Sequence, residues 1–245
     1  MPQITIIAEI GINHGGDINL LKELAYQAKK CGCDIAKTQL YDPIKLFPNK
    51  QIMVGGKNWF SAVEKTKLTK EQLFQFVNNC KEVGIGAMAS AYDLERLSWL
   101  EEVGVKEHKI ATRMNKDREY IKAVISTGKP FLISYRDSIE ARKALSEFTA
   151  IQPVYTLYCI PSYPTKLSEL CLSNVDFGDW GWFDGLSDHC EGIWASVVAM
   201  SRGAKIIERH FCLKRDNSNP DMVCSSEPPE LKELVHWARR IEEIL

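Results

Sequence analysis

Apolar residues along the chain alternate between two patterns. Short apolar runs such as Ile4–Glu9, Cys33–Leu40 and Ile85–Ser90 read as strands. Between them lie longer segments whose apolar positions recur every three or four residues, as Leu20, Leu21, Leu24 and Ala28 do. The predicted strands are Ile4–Glu9, Cys33–Leu40, Ile85–Ser90, His108–Ala111, Phe131–Ser134, Val154–Cys159, Trp182–Leu186 and Ala204–Glu208. The predicted helices run from an Asp17 cap to about Lys30, from Thr69 to Val83, and over Leu94–Val103, Lys116–Ser126, Ser138–Phe148, Leu167–Leu172, Gly192–Arg202 and Pro229–Ile244. Thr69-x-x-Gln72 resembles a capping box. Tyr41–Leu68, rich in Pro, Gly and Lys, is predicted to be irregular.

Eight strands, each followed by a helix, imply parallel pairing, because a parallel pair needs a crossover. With 245 residues, eight such units match a closed (β/α)8 TIM barrel, which takes about 250. The competing open, doubly wound sheet should carry a Gly-rich phosphate turn after its first strand. Gly11, Gly15 and Gly16 form no G-x-G-x-x-G there, so a single barrel domain over 1–245 is expected.

Composition narrows the function classes. Hydrophobic residues make up 45% and charged residues 26%, which excludes a disordered chain. The net charge of −1 and the absence of a Lys/Arg block argue against nucleic acid. The apolar runs fall short of the roughly 18 residues that cross a bilayer, and MPQITIIAEIG lacks a basic region ahead of an apolar one, so neither membrane nor signal peptide is expected. The eight cysteines form no C-x-x-C pair and are expected to be reduced thiols of a cytoplasmic protein.

In a barrel, chemistry belongs to the C-terminal ends of the strands, and here those ends are polar. They carry Glu9; Lys37 and Gln39; Ser90; Lys109, Thr112 and Arg113; Ser134 and Arg136; Ser162-Tyr163-Pro164-Thr165; Ser187-Asp188-His189; and Glu208-Arg209-His210. His189 and His210 end adjacent strands, which lie about 4.8 Å apart. They either share a Mn, Fe, Co, Ni or Zn ion or hydrogen-bond locally. As two ligands, they suit an octahedral ion completed by substrate and water. Lys37 and Lys109 sit inside apolar runs, where an unpaired charge is costly. With the nearby hydroxyls they suit a phosphate; alternatively they pair with Glu9 and Glu208. His14 reads equally as a loop or a catalytic residue, and His108 and His236 as surface or helix positions. Trp59-Phe60 reads as a packing anchor rather than a substrate lid.

Nine segments stand in one order: AEIGINHGGD, KTQLYDP, SAYDLERLSWLEEVGV, HKIAT, STGKPFLIS, SYPT, GLSDH, GAKIIERHF and NPDMVCSSEPPELKELV. From about Ile4 to Leu245 the chain thereby resembles the barrel of the sialic acid synthase family, the N-acetylneuraminate, legionaminate and pseudaminate synthases. The resemblance implies a cytoplasmic (β/α)8 enzyme that condenses phosphoenolpyruvate with an N-acetyl-hexosamine aldehyde, giving a nonulosonate-type 2-keto sugar acid and phosphate. It implies a divalent metal, usually Mn2+, with Mg2+ or Co2+ as alternatives, held by His189 and His210. It assigns phosphoenolpyruvate to Lys37, Ser90, Lys109, Thr112, Ser134 and Ser187. Glu9 is assigned to a sugar hydroxyl or proton; Gln39, Tyr163 and Asp221 match acceptor-side positions. Glu9, Tyr163, His189 and His210 form the expected catalytic set, and a homodimer is expected.

The departures concern the acceptor. Thr112-Arg113-Met114 stands where family members carry Ser-Gly-Glu, Ser134-Tyr135-Arg136 where they carry Ser-Thr-Gly, and Pro161 replaces a small polar residue. The C-terminal antifreeze-like domain of most members is not expected here. Arg113 and Arg136 either sit at the mouth, which suggests a shorter or more anionic acceptor, or point to solvent as most arginines do. The other readings are a barrel with an altered acceptor or reaction, such as an aldolase or isomerase, and a catalytically degenerate, ligand-binding barrel.

Overall fold

The computed structural model describes residues 4–179 and 181–244; positions 1–3, 180 and 245 lie outside them. Eight strands close into one parallel barrel: β1 (Thr5–Gly11), β2 (Ile35–Leu40), β3 (Gly86–Ala91), β4 (His108–Ile110), β5 (Phe131–Tyr135), β6 (Val154–Cys159), β7 (Gly185–Asp188) and β8 (Ile206–His210). Strand β8 pairs back onto β1, with Glu9 opposite His210. The surrounding helices are α1 (Ile18–Cys31), α2 (Lys70–Val83), α3 (Leu94–Val103), α4 (Arg118–Ser126), α5 (Ser138–Leu145), α6 (Leu167–Leu170), α7 (Trp194–Ser201) and α8 (Pro228–Ile244). The fold is the (β/α)8 barrel expected from the sequence. Asp17, Thr69, Asp93, Asp117 and Asp137 each accept a backbone N–H at the start of α1 to α5. At Thr69 the bond is reciprocated by Gln72, completing the capping box.

Side chains alternate along each strand, and the alternation sorts the barrel into two environments. Ile6, Ala8, Ile133 and Ile207 point outward and join the helix faces, among them Leu24, Phe76, Val124 and Leu234, in the main core. Ile7, Met88, Leu132 and Leu157 point inward and form a separate apolar plug at the bottom of the barrel. Two residues further along the same strands, the inward positions become Glu9, Ser90, Ser134 and Cys159. The plug therefore gives way to a polar layer one pleat higher. Gly185 is required at the bottom of β7, because a Cβ there would lie 1.9 Å from the Ile206 carbonyl oxygen.

Three sequence expectations are displaced. Strand β7 is Gly185–Asp188 rather than Trp182–Leu186, and β8 is Ile206–His210 rather than Ala204–Glu208. Both strands run on through polar residues because the upper barrel interior is polar. Tyr41–Leu68 is ordered rather than irregular: it contains helix Pro43–Leu46, the hairpin Met53–Val54/Lys57–Asn58 and helix Phe60–Lys65. Trp59 packs this segment, its Nε1 donating to the Val54 carbonyl (3.1 Å) and its ring lying under Lys57 Nζ (3.7 Å). Phe60 is buried beside it, as an anchor should be. Among the described residues no helix is long and apolar enough to cross a membrane. All eight cysteines are free thiols.

Candidate active site

The polar layer is one connected network. Lys37 Nζ lies 2.6 Å from Glu9 Oε2 and 3.3 Å from Glu208 Oε2, and Lys109 Nζ lies 3.7 Å from Glu208 Oε1. Lys109 also donates to Ser134 Oγ (2.8 Å), Ser187 Oγ donates to Glu208 Oε1 (2.7 Å) and Gln39 Nε2 donates to Glu9 Oε1 (2.8 Å). Both lysines are therefore ion-paired. The same ammonium groups also line a cavity of ≈160 Å3 at the top of the barrel, together with Ser90, Thr112, Ser134 and Ser187. Of the two alternatives left open by the sequence, the ion pairs are present, and they do not remove the lysines from the cavity wall.

Burial and pairing compete at each charge. Burial raises the Glu9 carboxyl against the pull of Lys37. Burial would raise Glu208 too, but Lys109 and Lys37 outweigh it and hold the carboxyl well below its usual range. Burial would lower Lys37, yet Glu208 and Glu9 reverse the effect and raise it. Burial lowers Lys109, with Glu208 opposing. The two lysines differ because Lys37 has two close carboxylates and Lys109 one more distant.

His189 and His210 line the same cavity, with ring centroids 5.3 Å apart. Tyr163 lies against both rings, at 4.3 Å from His189 and 5.7 Å from His210. His189 Nδ1 is 3.0 Å from the Ile160 carbonyl oxygen. A carbonyl only accepts, so Nδ1 carries a proton and Nε2 is the ring nitrogen left to face the cavity. His210 Nδ1 is buried without a hydrogen-bond partner, 3.6 Å from Asp221 Oδ2. Burial, His189 and Lys37 together push His210 well down, so its imidazole is neutral. Burial would also lower His189, but Cys159 and the Ile160 carbonyl outweigh it and push His189 up to about 9. The 5.3 Å separation fits two imidazoles sharing one ion at about 2.1 Å from each nitrogen. Among the described residues no cluster of three or more His, Cys, Asp or Glu could hold a metal, so the pair suits an ion completed by other ligands.

Behind the histidines, on the outward faces of β7 and β8, sits a fully buried ion pair, Asp188–Arg209 (3.4 Å). Arg209 donates to the Cys190 carbonyl (2.5 Å) and to Ser226 Oγ (3.0 Å), while Asp188 accepts from Ser196 Oγ (2.6 Å). This pair fixes the ends of both strands on the side away from the cavity.

Above the cavity opens a vestibule of ≈550 Å3, walled partly by the 41–63 segment. Gln39, Tyr92, Arg113, Pro161 and Tyr163 line both spaces, and Asp221 lines the vestibule. Burial and Glu9 push the Asp221 carboxyl up to about 7. The residues assigned to catalysis, phosphoenolpyruvate, acceptor or metal, except Arg136, thus line the cavity or the vestibule. Arg136 is a correction. It is exposed beyond the end of β5 and faces a separate lateral pocket with Tyr158 and Trp182. β5 ends at Tyr135, so the alternation that turns Ser134 inward does not extend to Arg136. His108 is a second correction, being 1% exposed on β4, with Nε2 2.8 Å from Glu101 Oε1. His236 is exposed on α8. Cys159 and Tyr92 line the cavity without having been singled out. The alternation through Leu157 pointed to Cys159; no sequence signal marked Tyr92.

His14 lines neither space. It is fully buried, its Nδ1 accepts from Gly16 N (3.1 Å) and its Nε2 has no partner. Burial pushes it from 6.5 down to about 4. A depressed histidine disfavours proton uptake by the folded state, so stability is lost as pH falls below 6.5 and the loss is complete near 4. Between pH 7 and 4 the wild type should lose about 3 kcal/mol more than His14→Gln in urea unfolding. Parallel curves would contradict this.

Residues 24–245 match the NeuB family. An uncharacterised protein of Methanocaldococcus jannaschii is 33% identical over 247 residues, 98% of this chain and 71% of that one. The N,N'-diacetyllegionaminic acid synthase of Campylobacter jejuni is 30% identical over 261 residues, 100% of this chain and 78% of the relative. A crystal structure of the N-acetylneuraminic acid (sialic acid) synthetase of Leptospira borgpetersenii, in complex with citrate, superposes with a TM-score of 0.88 at 28% identity. That superposition covers 99% of this chain and 85% of the synthetase. With the family matched over most of its length, and with these relatives on the same barrel, the chain belongs to the NeuB family.

Proposed function

We propose that this protein is a condensing synthase that joins phosphoenolpyruvate to an aldehyde sugar of the N-acetyl-hexosamine type, releasing phosphate and a nonulosonate-type 2-keto acid. The observation that carries this reading is the gathering of two ammonium groups, four serine or threonine hydroxyls and two imidazoles around one ≈160 Å3 cavity below a larger vestibule. The small cavity suits a three-carbon phosphoester and the vestibule a sugar. The synthase relatives support the same reaction type.

In this reading Lys37 and Lys109 balance the phosphate and carboxylate charge, while Ser90, Thr112 and Ser134 donate to their oxygens and Ser187 does so by exchanging its bond to Glu208 for one to the substrate. Carbon 3 of phosphoenolpyruvate bonds to the aldehyde carbon, water adds at carbon 2 and phosphate leaves with its bridging oxygen. Glu9, raised by burial and held by Lys37 and Gln39, is placed to take or give a proton at a sugar oxygen. Tyr163 covers the imidazoles and excludes water from that side. His189 and His210 would hold a divalent ion, Mn2+ in the family resemblance, which when bound polarises the aldehyde oxygen. A cytoplasmic setting fits the free thiols.

The test is phosphate release from phosphoenolpyruvate. Release is expected only when an aldehyde sugar and Mn2+ are both present. Silence across a broad panel of neutral and charged aldehyde sugars would end the reading.

A further inference from the structure

Thr112, Arg113 and Met114 form one turn of 3-10 helix after β4, and the tight turn sends them in three directions. Thr112 lines the lower cavity, Met114 is buried in the outer core, and Arg113 lines both the cavity and the vestibule. The guanidinium carbon lies 4.6 Å from the centroid of the Phe47 ring. Phe47 lines the vestibule and not the lower cavity, so the charged end of Arg113 sits on the acceptor side. The ring attracts the cation but offers no oxygen or nitrogen to accept its N–H groups. Among the described residues Arg113 has no carboxylate within ion-pair distance, whereas Lys37 and Lys109 below it are both paired. Asp221, the carboxyl among the described residues lining the vestibule, lies 3.6 Å from His210 Nδ1.

A sugar filling the vestibule strips water from this guanidinium. A hydroxyl leaves the charge uncompensated; a carboxylate or phosphate meets it with two parallel hydrogen bonds. We propose that Arg113 selects an aldehyde acceptor bearing an oxyanion, a carboxylate or a phosphate, over its neutral counterpart. This rests on the condensing-synthase reading and adds the charge class of its second substrate.

The test uses N-acetylmannosamine, its 6-phosphate and its 6-carboxylate (the uronate), with glyceraldehyde and glyceraldehyde 3-phosphate as a short matched pair. Binding is measured by calorimetry and turnover by phosphate release, for the wild type, R113K and R113Q. In the wild type at least one anionic member should bind, and turn over by kcat/KM, roughly 10- to 100-fold better than its neutral match, the range for charge-assisted bonds. In R113Q that ratio should collapse toward one, with R113K between them. The phosphate and carboxylate arms tell which oxyanion is read. A wild-type ratio near one in every pair would overturn the proposal, as would a ratio preserved in R113Q. A change confined to the KM for phosphoenolpyruvate would also overturn it. Binding selectivity without turnover would retire the condensation reading and leave the Arg113 assignment standing; turnover without selectivity would do the reverse.

Discussion

Replacing His189 or His210 with alanine should weaken Mn2+ binding by more than about 100-fold in each case, and phosphate release should fall in parallel. Loss of a partner that merely orients a ligand histidine already costs about 10- to 100-fold in metal affinity, so loss of the ligand itself should exceed that. The rings stand 5.3 Å apart and no third His, Cys, Asp or Glu among the described residues completes a cage. Neither histidine therefore has a substitute in the protein. Tyr163 rests on the His189 ring at 4.3 Å, so an alanine there leaves a gap under the tyrosine. His189→Gln and His210→Gln keep most of the volume, and should retain the wild-type melting temperature without the metal. A full equivalent of Mn2+ bound to both variants would remove these residues as ligands.

Most of the barrel was legible because its physics is local. Apolar runs and amphipathic segments, with caps read at Asp17 and Thr69, mark the strand–helix alternation, and parallel pairing follows from it; the Asp93, Asp117 and Asp137 caps were seen only in the structure. The ends of β7 and β8 were misread because a strand lining a polar cavity does not look apolar. Ser187, Asp188, Arg209 and His210 belong to strands for reasons of enclosure that periodicity does not record. The lysines could be placed at the mouth, but whether they were paired or free could not be decided. That depends on the register of Glu9 and Glu208 across β1, β2 and β8. Arg136 was misplaced because alternation from Ser134 would turn residue 136 inward, but the strand ends at Tyr135 and the alternation ends with it. The vestibule was the least legible part. Its wall comes from the 41–63 segment, whose short helices and hairpin are held by tertiary contacts such as Tyr41 Oη donating to the Val63 carbonyl (3.0 Å).

The second large effect is expected at Lys37, where stability and binding change together and have to be separated. In Lys37→Met the carboxylates of Glu9 and Glu208 lose a partner that sits at 2.6 and 3.3 Å, with all three side chains almost fully buried. Removing one member of a buried pair costs about 3–5 kcal/mol, a fall of roughly 6–20 °C in melting temperature for a chain of this size. The pH dependence identifies the cause. Burial already raises Glu9, and Lys37 is its main counterweight; without the lysine the carboxyl rises further. A carboxyl raised above its unfolded value destabilises the fold when ionised, and the cost disappears as pH falls toward the unfolded value. The deficit of Lys37→Met should thus be larger at pH 8 than at pH 5, and a pH-independent deficit would mean lost packing instead. Glu9→Gln combined with Lys37→Met removes one stranded charge and should recover part of the melting temperature. Phosphoenolpyruvate affinity should not recover with it. In both variants the dissociation constant should stay roughly 30-fold or more above wild type, the scale for losing a buried charged contact. A dissociation constant that returned with stability would make Lys37 a support for the barrel, and one that never changed would take it out of the phosphate site.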